Sequence, residues 1–333
     1  MKNIITLTLY LLLSCLIWTA CSNSTSPHKK VNTSWIFVAN EGNFGASNGS
    51  ISMIDDTGFV HETESIGDVV QSLEVYEDKL IVLINNSHKI KVYNITSEGI
   101  SMPGIEVSTN ESSPREMAII DGMVYFTNWN TSDVKVFNLY TYNIEMSIPV
   151  GIMPEGIITD GNKLWVANSG ENTVSEIDIS TLIEIRHHVG QGPQNLAHHN
   201  GNIYISRTYY NEDWTVTYHG ASRIGTEVLI NNYGSDRPCG GSILSHQSYI
   251  YRSFNGGLSQ LDSDLNMLEE GMIGEFNQSN VYHIEKINGN FWFALTNFSD
   301  YNELKVISPK GIELKSYKVG TIPGDLAYWK KSD

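Results

Sequence analysis

Between Pro154 and Thr181 short apolar runs and turn residues follow one another in a fixed order. PEGIIT alternates loosely and ends at Asp160-Gly161, LWVAN is a compact apolar run, and TVSEIDIS alternates apolar and polar positions until Thr181 closes it. β-Branched and aromatic residues bounded by Asp-Gly and Ser-Gly pairs predict antiparallel strands joined by hairpin turns. The same order recurs from Val70, Pro114, Pro193, Pro238 and Val281, which makes six copies. The prolines at 114, 154, 193 and 238 are spaced at roughly 40–45 residues, and hairpins at that period predict the blades of a β-propeller.

The ends of the chain supply a closure argument. The sixth copy finishes near Gly320, and a lone first strand, IPGDLAYW at 322–329, is left over. The segments WIFVAN at 35–40, SISMID at 50–55 and FVHETE at 59–64 are its missing companions. Joined, they form a seventh blade with the C-terminal strand innermost, and no sheet edge stays open for aggregation. The expected fold is all-β, a seven-bladed β-propeller over residues 34–333 with the closing blade built from both termini. Helical periodicity is absent, and Tyr, Trp and Phe make up 10% of the chain, in keeping with stacked sheets.

Residues 1–20 read as a secretory leader: Lys2 is its positive end and Ile4 to Ile17 its apolar centre, too short for a comfortable membrane span. The small residues just before Cys21 resemble a bacterial lipobox, with Trp18 where Leu is usual, so Cys21 is the expected lipidation site; ordinary secretion is the plainer alternative. Residues 21–33 then form a polar tether. With Cys15 in the leader, only Cys239 remains for the folded body, where it cannot form an internal disulfide. A small buried residue is the expectation there.

In such a blade the start of strand one and the end of strand two share a face. That face collects Asp68, Arg115, Glu155, Gln194, Asn195, Asp236 and Arg237 where first strands begin. Where second strands end it collects Asn43 and Phe44, Asn85, Trp129, Asn168, Arg207 with Tyr209 and Tyr210, Arg252 with Phe254, and Asn297 with Phe298. The opposite face receives tight Asp-Gly and Asn-Gly turns with little chemistry to offer. Asn at a strand end is ordinarily turn chemistry, and Asn85, Asn168 and Asn297 are read that way. Aromatics and arginines recurring in loops expected to face solvent are instead residue types enriched at binding surfaces. The candidate ligand-binding set is therefore Asn43, Phe44, Arg115, Trp129, Glu155, Gln194, Arg207, Tyr209, Tyr210, Arg237, Arg252, Phe254 and Phe298.

Charge and motif content narrow the chemistry. A net charge of -16 disfavours nucleic acid and anionic membrane surfaces, leaving a lipid anchor as the expected membrane link. His187-His188 and His198-His199 are neighbours on strands and point to opposite faces, so neither pair can chelate one ion. There is no HExxH, no Gly-rich phosphate loop after any strand and no G-x-S-x-G leading into a helix pattern, so no metal, cofactor or catalytic residue is assigned. Glu155 and Asp68 could act as an acid–base pair, but polar lining of a wet channel is the plainer reading.

The core at 154–168, proline followed by D-G-x-x-L-x-V-A-N, resembles the YncE-like, YVTN-type seven-bladed propellers. NEGNFG at 40–45 and the stretch GDVVQSLEVYEDKLIVLINNSHKIKVYN at 67–94 further resemble lipoproteins of the Bacteroidota. That group includes the BtuG-type surface propellers, which capture cobalamin above a TonB-dependent outer-membrane transporter. The resemblance implies an outer-membrane, surface-exposed lipoprotein that binds a corrinoid or another small amphipathic ligand and passes it to such a transporter. A corrinoid suits the rim chemically: Asn and Gln pair with its amides, Tyr and Trp cover its ring, and Arg115, Arg207, Arg237 or Arg252 meets its phosphate. Two other classes stay open, an enzyme of the lyase or lactonase type and a module that grips a protein or glycan.

Overall fold

The computed structural model describes residues 33–235 and 241–331. Their strands form seven antiparallel sheets in which chain neighbours pair in order: a seven-bladed β-propeller. The innermost strands are Val70–Tyr76, Pro114–Ile120, Pro154–Thr159, Pro193–His199, Ile243–His246, Val281–Ile287 and Pro323–Lys330. Among the described residues the only helix is one 3-10 turn, Gln278–Asn280, and no helix is long and apolar enough to cross a membrane. The expected leader, Cys21 and the tether up to residue 32 lie outside the described residues, as do Arg237 and Cys239.

Closure follows the expected plan. Pro323–Lys330 is the innermost strand of a sheet continued by Ser34–Asn40, Ser50–Asp55 and Val60–Glu62, with Trp35 opposite Trp329 and Val38 opposite Leu326. Both indoles are buried and hydrogen-bonded: Trp35 Nε1 donates to the Thr96 carbonyl at 2.9 Å, and Trp329 Nε1 to Asp78 Oδ1 at 2.9 Å. Both acceptors belong to the next blade, so the seam is fastened across the ring as well as along the sheet.

Each blade buries both of its faces, which is why second strands read as continuous apolar runs. In WIFVAN, Trp35, Phe37 and Ala39 pack on the following blade, while Ile36 and Val38 pack on the preceding one. In KLWVAN, Leu164 and Val166 face one neighbour, and Trp165 and Ala167 the other. Alternation sends successive side chains to opposite faces, so a strand between two blades must be apolar throughout. The core is accordingly a set of wedges between adjacent blades, and none of them fills the axis. The turns between first and second strands hold to their expected chemistry. Asp121-Gly122, Asn200-Gly201 and Asn288-Gly289 have positive φ at both residues, the two-residue hairpin geometry that such pairs favour.

A further regularity concerns the first residues of the innermost strands. Their pairing slips at Val70/Ser72, Pro154/Ile157, Pro193/Leu196 and Val281/His283, and beside Pro114 and Pro323 as well. These are β-bulges, which leave one residue unpaired and redirect side chains. In several blades both bulge residues line the axial channel, as in Gln71-Ser72, Arg115-Glu116 and Tyr282-His283.

If the seam holds the ring shut, Trp329→Ala should cost about 3–5 kcal/mol, as for a buried aromatic cut back to alanine. Trp214→Ala, at a site 76% exposed, should cost at most about 0.5 kcal/mol. Chemical denaturation of the two variants measures the difference, and equal midpoints would contradict it.

Candidate functional site

The axial channel is a cavity of 820 Å³ walled by the innermost strands. At its mouth Arg115 makes a bidentate pair with Glu155: Nη2 donates to Oε1 at 2.6 Å, and Nε lies 3.1 and 3.2 Å from the two carboxylate oxygens. Nη1 donates to Gln71 Oε1 at 2.5 Å. Trp129 covers the guanidinium, whose carbon sits 4.2 Å from the ring centroid, and its Nε1 donates to Glu155 Oε2 at 2.8 Å. Across the mouth Tyr282 donates to Glu41 Oε1 at 2.8 Å, and the exposed Phe298 ring meets Tyr282 edge-on at 5.6 Å.

Deeper in, carboxylates accumulate. Glu74, Glu116, Glu285 and Asp325 line the channel with His283. Burial within the channel walls pushes Glu41 up to about 7, with the Tyr282 hydroxyl and Arg115 pulling the other way. Glu74 is also pushed up to about 7, by burial and then by Asp325. Asp325 rises to about 6 because burial outweighs His283 and the Leu73 amide that it accepts at 2.8 Å. Glu116 rises well above the ordinary carboxylate range through burial, Asp325 and Glu155. Burial disfavours the His283 imidazolium, but Glu285 and Asp325 more than offset it and the group is raised. These carboxylates share one lumen, where like charges close together cannot all be ionised cheaply.

The structure sorts the expected rim residues into three groups. Arg115, Trp129 and Glu155 meet at the mouth, with Phe298 beside Tyr282. Asn43 and Phe44 are exposed on the loop after Asn40, and Tyr210 is exposed and stacked on Trp214 at 5.1 Å. Tyr209 is half-buried on Tyr218, and Gln194 is half-buried next to the channel-lining Asn195.

Arg207, Arg252 and Phe254 belong to the interior instead, which corrects their reading as ligand contacts. Arg207 lies opposite Pro193 as Asn168 lies opposite Pro154, so it fills the buried position that asparagine holds in other blades. Its Nη2 donates to the Asn231 carbonyl at 2.9 Å and to Asn232 Oδ1 at 2.6 Å. Arg252 Nη2 donates to the Arg207 carbonyl at 3.0 Å, and Phe254 sits in the wedge between two blades. Asn168 departs from its reading as turn chemistry: it is a buried plug that donates to Thr173 Oγ1 and Ser175 Oγ at 2.9 and 3.0 Å and accepts from Gly151 N at 3.1 Å. Asp68 likewise holds a loop, accepting from Gly45 N and Asn86 Nδ2. The far face is less bare than expected, since Phe59, Tyr140 and Ile183 are exposed in its outer turns.

Sequence reasoning overlooked Glu74, Glu116, His283, Glu285 and Asp325. Superposing the repeats on their prolines aligns them in columns, and the bulges decide which columns face the axis. The two residues after the proline position, then every second one, form the columns that face the axis.

No family model matches the chain, and no curated protein sequence matches it. Many solved structures share its fold. A protein from Lactobacillus plantarum superposes with a TM-score of 0.67 at 12% identity, covering 89% of this chain and 99% of that one. A Bacteroides fragilis protein described as a candidate 6-phosphogluconolactonase gives 0.61 at 13%, covering 90% and 99%. A streptogramin B lyase gives 0.56 at 16%, covering 80% and 96%. At such identities the likeness shows the propeller fold alone.

The channel makes stability depend on pH. A carboxyl with a raised folded pKa holds more protons folded than unfolded, so its contribution fades as pH climbs from the unfolded toward the folded value. The raised His283 acts in the same direction. His219, lowered to about 4 by burial and Arg252, opposes this only below its unfolded value of 6.5. The thermal midpoint should therefore fall between about pH 6.5 and 8. Glu74→Gln should flatten that slope, and an unchanged slope in the variant would contradict the assignment.

Proposed function

We propose that this propeller is a capture protein that holds a small amphipathic ligand across the mouth of its channel. The observation that carries the reading is the pairing of aromatic surface with polar groups at one opening. Trp129 stands on the Arg115–Glu155 pair, and Phe298 stands on Tyr282, which is bonded to Glu41. Binding sites characteristically combine such apolar cover with a few convergent polar groups. A corrinoid is the ligand class that fits best. Its ring offers a flat face for the aromatics, and its peripheral amides donate to the carboxylates and to Gln71. With Arg207 and Arg252 interior, its phosphate is left to Arg237 or to Arg115 at the mouth, whose guanidinium already serves Glu155 and Gln71. On this reading Cys21 carries the lipid that holds the propeller at the outer-membrane surface, and a TonB-dependent transporter receives the ligand.

Calorimetry with cyanocobalamin on chelator-treated protein tests the ligand class. The expected result is one site of micromolar affinity or tighter, weakened about tenfold (~1.4 kcal/mol) or more by Trp129→Ala or Phe298→Ala. No heat at micromolar protein would reject the corrinoid. For the anchor, Cys21→Ser should move the protein from the detergent-extracted membrane fraction to the soluble one, and an unchanged distribution would reject lipidation.

A second reading, turnover of the lyase or lactonase kind, is favoured by the raised carboxyls, since groups held protonated near neutrality suit acid–base work. Product formation abolished by Glu74→Gln, with ligand binding retained, would favour this reading over capture.

A further inference from the structure

His283 and Glu285 are two residues apart on one innermost strand, so their side chains leave the same face and enter the channel together. Asp325 reaches the same point from the closing strand, the neighbour across the seam. One ligand-capable atom from each of the three lies within 4.8 Å of the others. The imidazole Nε2 faces the carboxylates at 3.6 Å from Glu285 Oε2 and 4.0 Å from Asp325 Oδ1.

Two independent observations say that this is more than a chance gathering of acids. First, Nε2 of the half-buried His283 is shut off from solvent and makes no hydrogen bond among the described residues, with the two carboxylates just beyond hydrogen-bond range. A buried polar atom left in that state is costly unless something bridges it. Second, the charges of the channel do not balance. Glu41, Glu74, Glu116, Glu155, Glu285 and Asp325 line it, against Arg115, Lys286 and the histidines His198 and His283. Arg115 is committed to Glu155 at the mouth, and Lys286 donates to the Ser245 carbonyl at 2.7 Å. Among the described residues that leaves His283 as the basic group facing the carboxylates in the middle of the lumen.

We infer that His283, Glu285 and Asp325 form a binding site for a divalent first-row transition ion, placed midway along the channel wall at the seam between the closing blade and the one before it. One imidazole nitrogen with two carboxylate oxygens is a donor set that suits zinc and its neighbours, whereas calcium and magnesium take oxygen almost exclusively. Three protein ligands leave coordination positions open toward the lumen. Asp325 is already oriented, because its Oδ2 accepts the Leu73 amide from the third side while Oδ1 is turned toward His283. Such outer support fixes a ligand and sharpens its affinity. Glu74 and Glu116, beside the site, supply further negative charge without needing to coordinate. The inference does not depend on which ligand covers the mouth, and its test uses none.

Chelator-treated full-length protein, titrated with zinc chloride at pH 7.5, should bind one equivalent by calorimetry and retain it through gel filtration by elemental analysis. Zinc should also raise the thermal midpoint. His283→Ala should weaken binding at least tenfold and abolish the thermal shift, while His188→Ala, on an outer strand, should behave as the native protein. Because Asp325 also holds the Leu73 amide, Glu285→Gln serves as the second ligand variant, and it should lose affinity without losing its fold. Absence of stoichiometric zinc, or equal affinity in the His283, Glu285 and His188 variants, would overturn the site. Calcium binding as tight as zinc would overturn the choice of ion.

Discussion

The architecture depends on one strand pair, Ser34–Asn40 against Pro323–Lys330. Every blade buries its two faces on its neighbours, so an unclosed array would expose a whole apolar face at each end. The terminal pairing removes both exposures at once. It joins the wedge that contains Trp35, Phe37, Leu80 and Trp329 to the one that contains Ile36, Val38, Trp292 and Leu326. The indole hydrogen bonds to Thr96 and Asp78 then fix the register to the next blade. Non-local closure of this kind costs chain entropy that only the two finished wedges offset.

Closure also creates the chemistry. Seven flat sheets packed side by side bury their faces but not their inner edges, so the axis stays open and collects whatever the innermost strands present. The bulges after the proline positions turn consecutive residues inward and concentrate Arg115 with Glu116 and Tyr282 with His283 on one lumen. Carboxylates that would titrate near pH 4 in water are pushed up there by burial first and by neighbouring carboxylates second. The mouth differs, because there Arg115 pairs bidentately with Glu155 beneath the Trp129 indole.

The interior arginines show how position overrides residue type. Arg207 and Arg252 carry the same side chain as Arg115 and come from comparable stretches of sequence, yet they lie between blades and satisfy backbone carbonyls. Arg207 takes the place of a buried asparagine that bonds across its blade elsewhere in the ring, as Asn40 does to Ser50 and Ser52 and Asn168 to Thr173 and Ser175. A longer donor does the same work by reaching farther, to Asn231 and Asn232.

The repeat period, the apolar runs, the type of the hairpin turns and the leftover strand at 322–329 were legible in the chain, because each reports a local rule or a count. They were enough to determine seven blades and a seam made of both ends. The mouth was partly legible as well, since Arg115, Trp129, Glu155 and Phe298 follow the repeat to one face. The deeper site was decided only by the tertiary structure. Whether Glu116, His283 or Asp325 faces a neighbouring blade or the axis depends on a one-residue slip in pairing, and their altered acidity depends on groups brought together from distant blades. Alternation along a strand cannot foresee that slip, and no single blade contains the field it produces.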